Sequence, residues 1–361
     1  MATLVQPLRG RGAKSNASGR YEALSIQAFD DGWEPDEPPP TKLATRLTAE
    51  AARVILTRND SPDISYDRSI NPYRGCEHGC IYCYARPAHA YMGLSPGVDF
   101  ETRLFFKPDA ARLLDRELSA KTYVCKPVHI GGNTDPYQPA EKGLRITRSV
   151  LEVLERFNHP FSIITKSALI MRDADILARM GQAGLARAFV SITTLDRKLA
   201  RSMEPRAATP GRRLEAVRAL ADAGAVVGVL FAPVIPGLND HELEAVLEQA
   251  KAAGASSASY VVLRLPREIK DLFREWLEAE RPARAARVMS LVRQMRGGKD
   301  YDPDWAQRMK GSGPVADLIR QRYRRACTSL GLVSERTPLR TDLFRPPAKP
   351  GDQMDMFAAG R

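Results

Sequence analysis

The chain reads as an α/β protein, and three observations make it a partial (β/α)6 TIM-like barrel with a helical C-terminal extension. Five short runs rich in β-branched residues recur: "KPVHIGG", "FSIITKS", "RAFVSITT", "AVVGVLFAPVI" and "ASYVVLRLP". Helix-like stretches such as "ITRSVLEVLERF", "DADILARMGQAG", "PGRRLEAVRALADAG" and "NDHELEAVLEQAKAAG" separate them, and strands alternating with helices at this spacing build a parallel sheet. The segment "DISYDRSI" ahead of these runs supplies a sixth strand, and the repeat length suits a barrel. Periodicity alone does not separate this architecture from a doubly wound open sheet, which stays as the competitor.

Around this core, residues 1–50 mix Arg, Gly, Ser, Asp and Pro ("DDGWEPDEPPPTKL") with little periodicity, as in a mostly irregular extension. The barrel is assigned to residues 51–270. Residues 271–332 are helical and basic ("DLFREWLEAERPARAARVMSLVRQMR", "VADLIRQRYRRACTSLGL") and would cap it. Residues 333–361, which include "RPPAKPGDQ", read as a flexible tail.

Composition bounds the function. The sequence has 361 residues, 43% of them hydrophobic, but no apolar run of the roughly eighteen residues a membrane span needs. The first twenty residues carry no secretory signal. Five cysteines, three of them clustered, do not form a disulfide framework, so a reducing, cytoplasmic compartment is expected. A formal charge of +11 favours polyanionic partners, nucleic acid above all. An arginine-rich solvated surface would give the same sum.

The densest chemistry lies in "NPYRGCEHGCIYCYAR", where Cys76, Cys80 and Cys83 fall inside eight positions. Three thiolates on one short loop suit a metal centre. A closed zinc site needs a fourth ligand; neither Cys125 nor Cys327 belongs to a second Cys-x2-Cys pair, and His78, inside the loop, is expected to point to solvent. The other reading is a four-iron cluster with one iron left open to a substrate or cofactor. The spacing Cys-x3-Cys-x-aromatic-Cys, with Tyr82 as the aromatic, resembles the signature of the radical S-adenosylmethionine superfamily. The resemblance implies one [4Fe-4S] cluster on Cys76, Cys80 and Cys83, whose open iron chelates S-adenosylmethionine. It also implies reductive cleavage to methionine and a 5′-deoxyadenosyl radical, and an electron donor such as flavodoxin or ferredoxin. The two remaining cysteines leave no room for a second cluster.

Barrel active sites gather at strand ends, so the residues just beyond each run carry the most information. After "KPVHI" comes "GGNTDPYQPAE", whose Gly131 and Gly132 permit close backbone approach. Asn133, Thr134 and Asp135 add polar groups. This stretch resembles the superfamily's Gly-Gly-Glu motif for the methionine amino group, with Asn133 in place of Glu; a turn with an Asp helix cap is the structural alternative. Lys166 ends the next run, where it would pair with a carboxylate or phosphate or sit on the surface. Ser191 and Thr193 in "AFVSITT" share one face by the period of two. The run "VVGVLFAPVIPGLND" ends in a Pro-Gly turn.

Together these positions resemble the DNA-repair lyase branch related to spore photoproduct lyase. "CIYCYAR" is similar to its cluster loop, and the resemblance implies that Tyr84 returns a hydrogen atom and that Thr134, Lys166 and Ser191 contact the cofactor. The branch carries a hydrogen-donating cysteine at the position of Gly132, so thymine-dimer reversal itself is not expected. Cys125, at the start of its strand about 16 Å from the chemistry, reads as a buried small hydrophobe. Near the end, Gln353, Met354, Asp355, Met356 and Phe357 ("QMDMF") resemble a sliding-clamp-binding peptide. The expected function is a lyase-like radical enzyme acting on nucleic acid in DNA repair or modification. The alternatives are a radical enzyme acting on RNA, a peptide or a small molecule, and a non-catalytic zinc-bound nucleic-acid-binding protein.

Overall fold

The computed structural model describes residues 10–22, 43–333 and 337–347. In chain order the strands are β1 (Arg46–Ala49), β2 (Leu56–Arg58), β3 (Arg68–Ile70), β4 (Tyr73–Arg74), β5 (Arg103–Phe106), β6 (Val128–Ile130), β7 (Phe161–Thr165), β8 (Ala186–Ser191), β9 (Val227–Val234) and β10 (Ser257–Val262). The helices are α1 (Asp99–Thr102), α2 (Ala110–Leu118), α3 (Glu141–Leu144), α4 (Ile146–Arg156), α5 (Ala174–Gln182), α6 (Arg197–Met203), α7 (Pro210–Asp222), α8 (Leu243–Ala252), α9 (Ile269–Glu280), α10 (Pro282–Gln294) and α11 (Gly313–Leu330).

The main sheet runs β10-β9-β8-β7-β6-β3-β2. Six of its strands, β3 and β6 through β10, are mutually parallel, and β2 pairs antiparallel at the edge. Each crossover therefore steps in the same direction. A doubly wound sheet reverses at a switch point, and none exists here, so the topology selects the partial barrel over the open-sheet competitor. The six expected strands are present, and the antiparallel β2 is an addition.

Burial explains the strand composition. β9, "VGVLFAPV", is buried on both faces except at Leu230, as a parallel strand covered by helices requires. Helices such as α4 bury Val150, Leu151, Val153 and Leu154 against the sheet while its charged face stays out. Proline sits in the first turn of α7, α10 and α11, where its missing N–H costs no hydrogen bond. The free edge of β10 is closed by the C-terminal segment. Val262 N donates to Met309 O (3.0 Å), Ala258 N to Val333 O (3.2 Å), and the Tyr323 hydroxyl to Ala258 O (2.8 Å). An otherwise exposed edge is thereby satisfied.

Residues 10–22 of the N-terminal extension form turns and coil, and β1 lies at the extension's end. β1 pairs in parallel with β5, which also pairs with β4, in a second three-stranded sheet. Arg11, Gly12 and Ala13 are buried. Their anchor is Glu101, whose carboxylate accepts from the Gly12 and Ala13 amides at 2.9 Å each, a long-range pairing with no local sequence signature. Cys125 is half-buried rather than buried, because it precedes β6 at the end away from the site.

Candidate active site at the barrel mouth

The parallel strands all end on one side, and the cysteine loop follows β3 and β4 on that side. Its three thiols are free, Cys76 and Cys80 buried and Cys83 half-buried. Burial pushes all three thiols up, Cys80 to about 12, and the charge of neighbouring thiols adds to it at Cys76 and Cys80. The Lys166 ammonium works the other way on Cys80 and Cys83, and it lies 5.6 Å from the centre of the Tyr82 ring. Such a set of thiols needs cationic charge to ionise.

The loop is held from several directions. Beneath it, the fully buried Arg86 donates to Cys80 O (2.9 Å) and pairs with Glu101 (2.5 Å). Gln138 accepts from Glu77 N (2.9 Å) and donates to Gly75 O (3.2 Å). A Cβ on Gly12 would sit 1.8 Å from Gly79 O, so glycine alone lets the N-terminal arm cross the loop. On the barrel side the Tyr82 hydroxyl donates to Glu204, which also pairs with Arg213; Glu204 and Arg213 are 2% and 1% exposed. Burial opposes the Arg213 charge, yet the Glu204 carboxylate beside it holds the guanidinium's pKa above its usual value. Burial, with the charges of Cys80 and Glu204, keeps the Tyr82 phenol well above its ordinary range.

Several expected ligand contacts turn inward. The Ser191 hydroxyl donates to Ala232 O (3.2 Å), and Thr193 Oγ1 lies 3.2 Å from the Tyr82 hydroxyl, Glu204 and Ala232 O. The shared partner Ala232 O shows that Ser191 and Thr193 do occupy one face. Asp135 accepts from Tyr137 N (2.9 Å), Thr165 Oγ1 (2.6 Å) and Lys166 N (2.8 Å), and lies 3.3 Å from His78 Nδ1. Although burial opposes it, these contacts lower the Asp135 pKa to about 2. His78 is therefore buried against Asp135 and does not point to solvent. Thr134 donates to Tyr73 O (2.9 Å). Asn133 is exposed, tied by its amide to Asn71 (3.1 Å).

The two glycines have different reasons. Gly131 has φ +91°, and a Cβ there would meet Ile164 O at 2.6 Å. At Gly132 a Cβ would lie 2.8 Å from the Tyr66 hydroxyl, whose ring stacks on His129 at 4.3 Å. The Tyr84 hydroxyl donates to Gly132 O while its ring is 43% exposed. Arg264 covers that ring at 4.9 Å. A phenol thus stands where a side chain on residue 132 would project. Sequence reasoning missed Tyr66, Glu204, Arg213 and Asn239. The last is fully buried and bridges Thr193 O (2.7 Å) and Pro233 O (2.9 Å). The unpaired-looking Glu and Arg of "MEPRAATPGRR" were the available hint.

Among the described residues no three His, Cys, Asp or Glu side chains converge as the ligands of one metal ion must. A polynuclear cluster gives each cysteine its own iron. Three thiols on one short loop beside a lysine suit a cluster that leaves one iron without a protein ligand. The family model of the radical SAM superfamily matches residues 70–250. The chain belongs to the radical SAM superfamily. A Mycobacterium tuberculosis protein of uncharacterised function is 35% identical over 260 residues, 72% of this chain and 75% of that protein. One from Methanocaldococcus jannaschii is 27% identical over 173 residues, 48% and 62% of the two chains. Among solved structures, a spore photoproduct lyase mutant with bound AdoMet and dinucleoside spore photoproduct superposes with a TM-score of 0.53 at 17% identity, covering 79% and 80% of the chains. Spore photoproduct lyase complexed with the dinucleoside gives 0.52, with the same identity and coverage. At that identity the likeness shows the fold. Radical SAM membership implies a [4Fe-4S] cluster and S-adenosylmethionine. No helix among the described residues is long and apolar enough to cross a membrane. The clamp-like segment Gln353–Phe357 lies outside the described residues.

Proposed function

We propose that this radical SAM protein cleaves S-adenosylmethionine reductively and abstracts hydrogen from a nucleic-acid substrate, in a lyase-like repair or modification reaction. The observation that carries it is the loop of Cys76, Cys80 and Cys83 at the mouth of the barrel, flanked by Lys166. When bound, the cluster and S-adenosylmethionine supply one electron and a sulfonium whose homolysis gives a 5′-deoxyadenosyl radical.

The chain's own residues have separable tasks. Cys76, Cys80 and Cys83 hold the cluster, and Lys166 offsets the negative charge of the thiolates. Tyr82, Thr193, Glu204 and Arg213 lock the loop to the ends of β8 and β9. Asp135 ties the glycine turn to β7, so Gly131, Gly132 and Asn133 present backbone and amide groups to the cofactor. Tyr84, with its ring at the mouth and its O–H on Gly132 O, serves in this reading as the hydrogen-atom donor.

The +11 charge supports a polyanionic substrate, as does the nucleoside substrate carried by the similar lyase fold. Gly132, with Tyr66 in the space beside it, favours a reaction other than thiol-dependent dimer reversal. Oxygen-free purification tests the reading. Near four irons per chain, lost in Cys76→Ala, Cys80→Ala and Cys83→Ala, and 5′-deoxyadenosine formation stimulated by DNA are expected. Stoichiometric zinc without iron rejects the catalytic reading; stimulation by RNA alone moves the substrate. Flavodoxin or ferredoxin is proposed as electron donor. Retention of the protein on a sliding-clamp column after deletion of residues 353–357 would remove the clamp assignment.

A further inference from the structure

Beyond the mouth, four exposed aromatic rings, Tyr21, Tyr84, Tyr91 and Trp305, each have an arginine within about 6 Å of the ring centre. Tyr21 and Tyr91, 57% and 62% exposed, lie 5.2 Å apart between ring centres. Arg267 Nη1 donates to the Tyr91 hydroxyl at 3.2 Å. Three residues before it, at most about 10 Å along the chain, Arg264 covers the exposed ring of Tyr84. Arg264 also reaches Met309 Sδ at 3.5 Å. The adjacent Arg308 lies 5.8 Å from the ring centre of Trp305, which is 45% exposed, and its charge is felt at Tyr84.

Arg308 is committed to Asp63, with both contacts at 2.5 Å. Arg264 and Arg267 form no ion pair with a described residue. Large exposed aromatics are costly in water unless something covers them, and here each is accompanied by a cation. Rings that accept a base face, with guanidinium groups between them for phosphates, are what single-stranded nucleic acid requires. A duplex hides its base faces, and chemistry on a base needs it out of the stack.

We infer that the path from Tyr21 and Tyr91 through Arg267, Arg264 and Tyr84 to Trp305 binds single-stranded nucleic acid, stacking its bases and leading one of them to the barrel mouth. This deepens the proposed function and rests on its nucleic-acid reading. The test is fluorescence anisotropy with the full chain purified without oxygen. The probes are a labelled oligothymidylate of about 15 nucleotides, the matching oligouridylate and a hairpin duplex. The single strands should bind more tightly than the duplex, and their order of affinity decides between DNA and RNA. Tyr91→Ala and Trp305→Ala should each weaken binding by roughly 5- to 100-fold. Arg267→Gln should lower the slope of log K against log salt by about 0.7. Melting temperatures should not change, since all three side chains are exposed. Duplex binding as tight as single-strand binding, or parental affinity in all three variants, overturns the inference. The same samples are assayed for 5′-deoxyadenosine. Binding that depends on the path without any cofactor cleavage leaves this surface standing and rejects the proposed reaction. Oligonucleotide-stimulated cleavage that all three variants retain with unchanged affinity does the reverse.

Discussion

Replacing Arg213 by Met tests the anchor of the cysteine loop. Arg213 and Glu204 are 1% and 2% exposed, and Glu204 also accepts from Tyr82. Methionine fills much of the arginine volume but leaves the carboxylate buried without a counter-charge. Breaking such a pair from one side costs about 3–5 kcal/mol. Two further donors, Arg213 Nε to Ala208 O (2.8 Å) and Nη1 to Ser191 O (3.0 Å), disappear with it, so the upper end applies. At about 2 °C per kcal/mol for a chain of this size, the melting temperature should fall by roughly 10 °C. Adding Glu204→Gln removes the stranded charge and keeps an acceptor for Tyr82, so the double variant should recover at least about half of the loss. Thermal and urea unfolding of anaerobically purified protein measure both. A single-variant cost below about 1 kcal/mol, or a double variant worse than the sum of the singles, would refute the buried-pair account.

Three other outcomes rest on the same geometry. Gly132→Ala brings a Cβ to 2.8 Å from the Tyr66 hydroxyl, against the ordinary 3.4 Å or more; it should cost about 1–3 kcal/mol, and Tyr66→Phe should relieve it, as urea titration of the four proteins will show. His159 is fully buried, with Nδ1 3.0 Å from Pro160 O and Nε2 2.7 Å from the Tyr123 hydroxyl, and burial lowers its pKa from 6.5 to about 4. Its neutral form is the one the fold favours, so its contribution is complete above pH 6.5 and is lost as pH falls from there towards 4, up to about 3 kcal/mol. His159→Gln should flatten that part of the stability–pH curve; an unchanged slope contradicts the assignment. Gly12→Ala should drive the N-terminal arm off the loop, because its Cβ meets backbone at 1.8 Å, and limited proteolysis around residues 14–22 should accelerate; parental resistance would show that the arm can shift.

Local pattern was enough for the parallel strands and for the clustering of the three cysteines. Strand periodicity is written in consecutive residues, and three cysteines within eight positions must share one loop wherever the chain goes. The same logic placed Lys166 at a strand end beside the site. Side-chain orientation was not legible. Ser191, Thr193 and Asp135 occupy the expected ends of their strands, yet their oxygens bind inward, because partners such as Ala232 O and Thr165 lie on neighbouring strands. His78 pairs with Asp135, 57 positions away in a chain of 361.

By itself the amino-acid order determined the fold class and put three cysteines on one loop beside the strand ends. Only the tertiary structure decided which carboxylates and arginines hold the loop, that residues 11–13 pack beneath it, and that Tyr66 fills the space beside Gly132. Backbone preferences and spacing act over a few residues. Burying a charge or filling a gap depends on what arrives from distant parts of the chain, which no local pattern encodes.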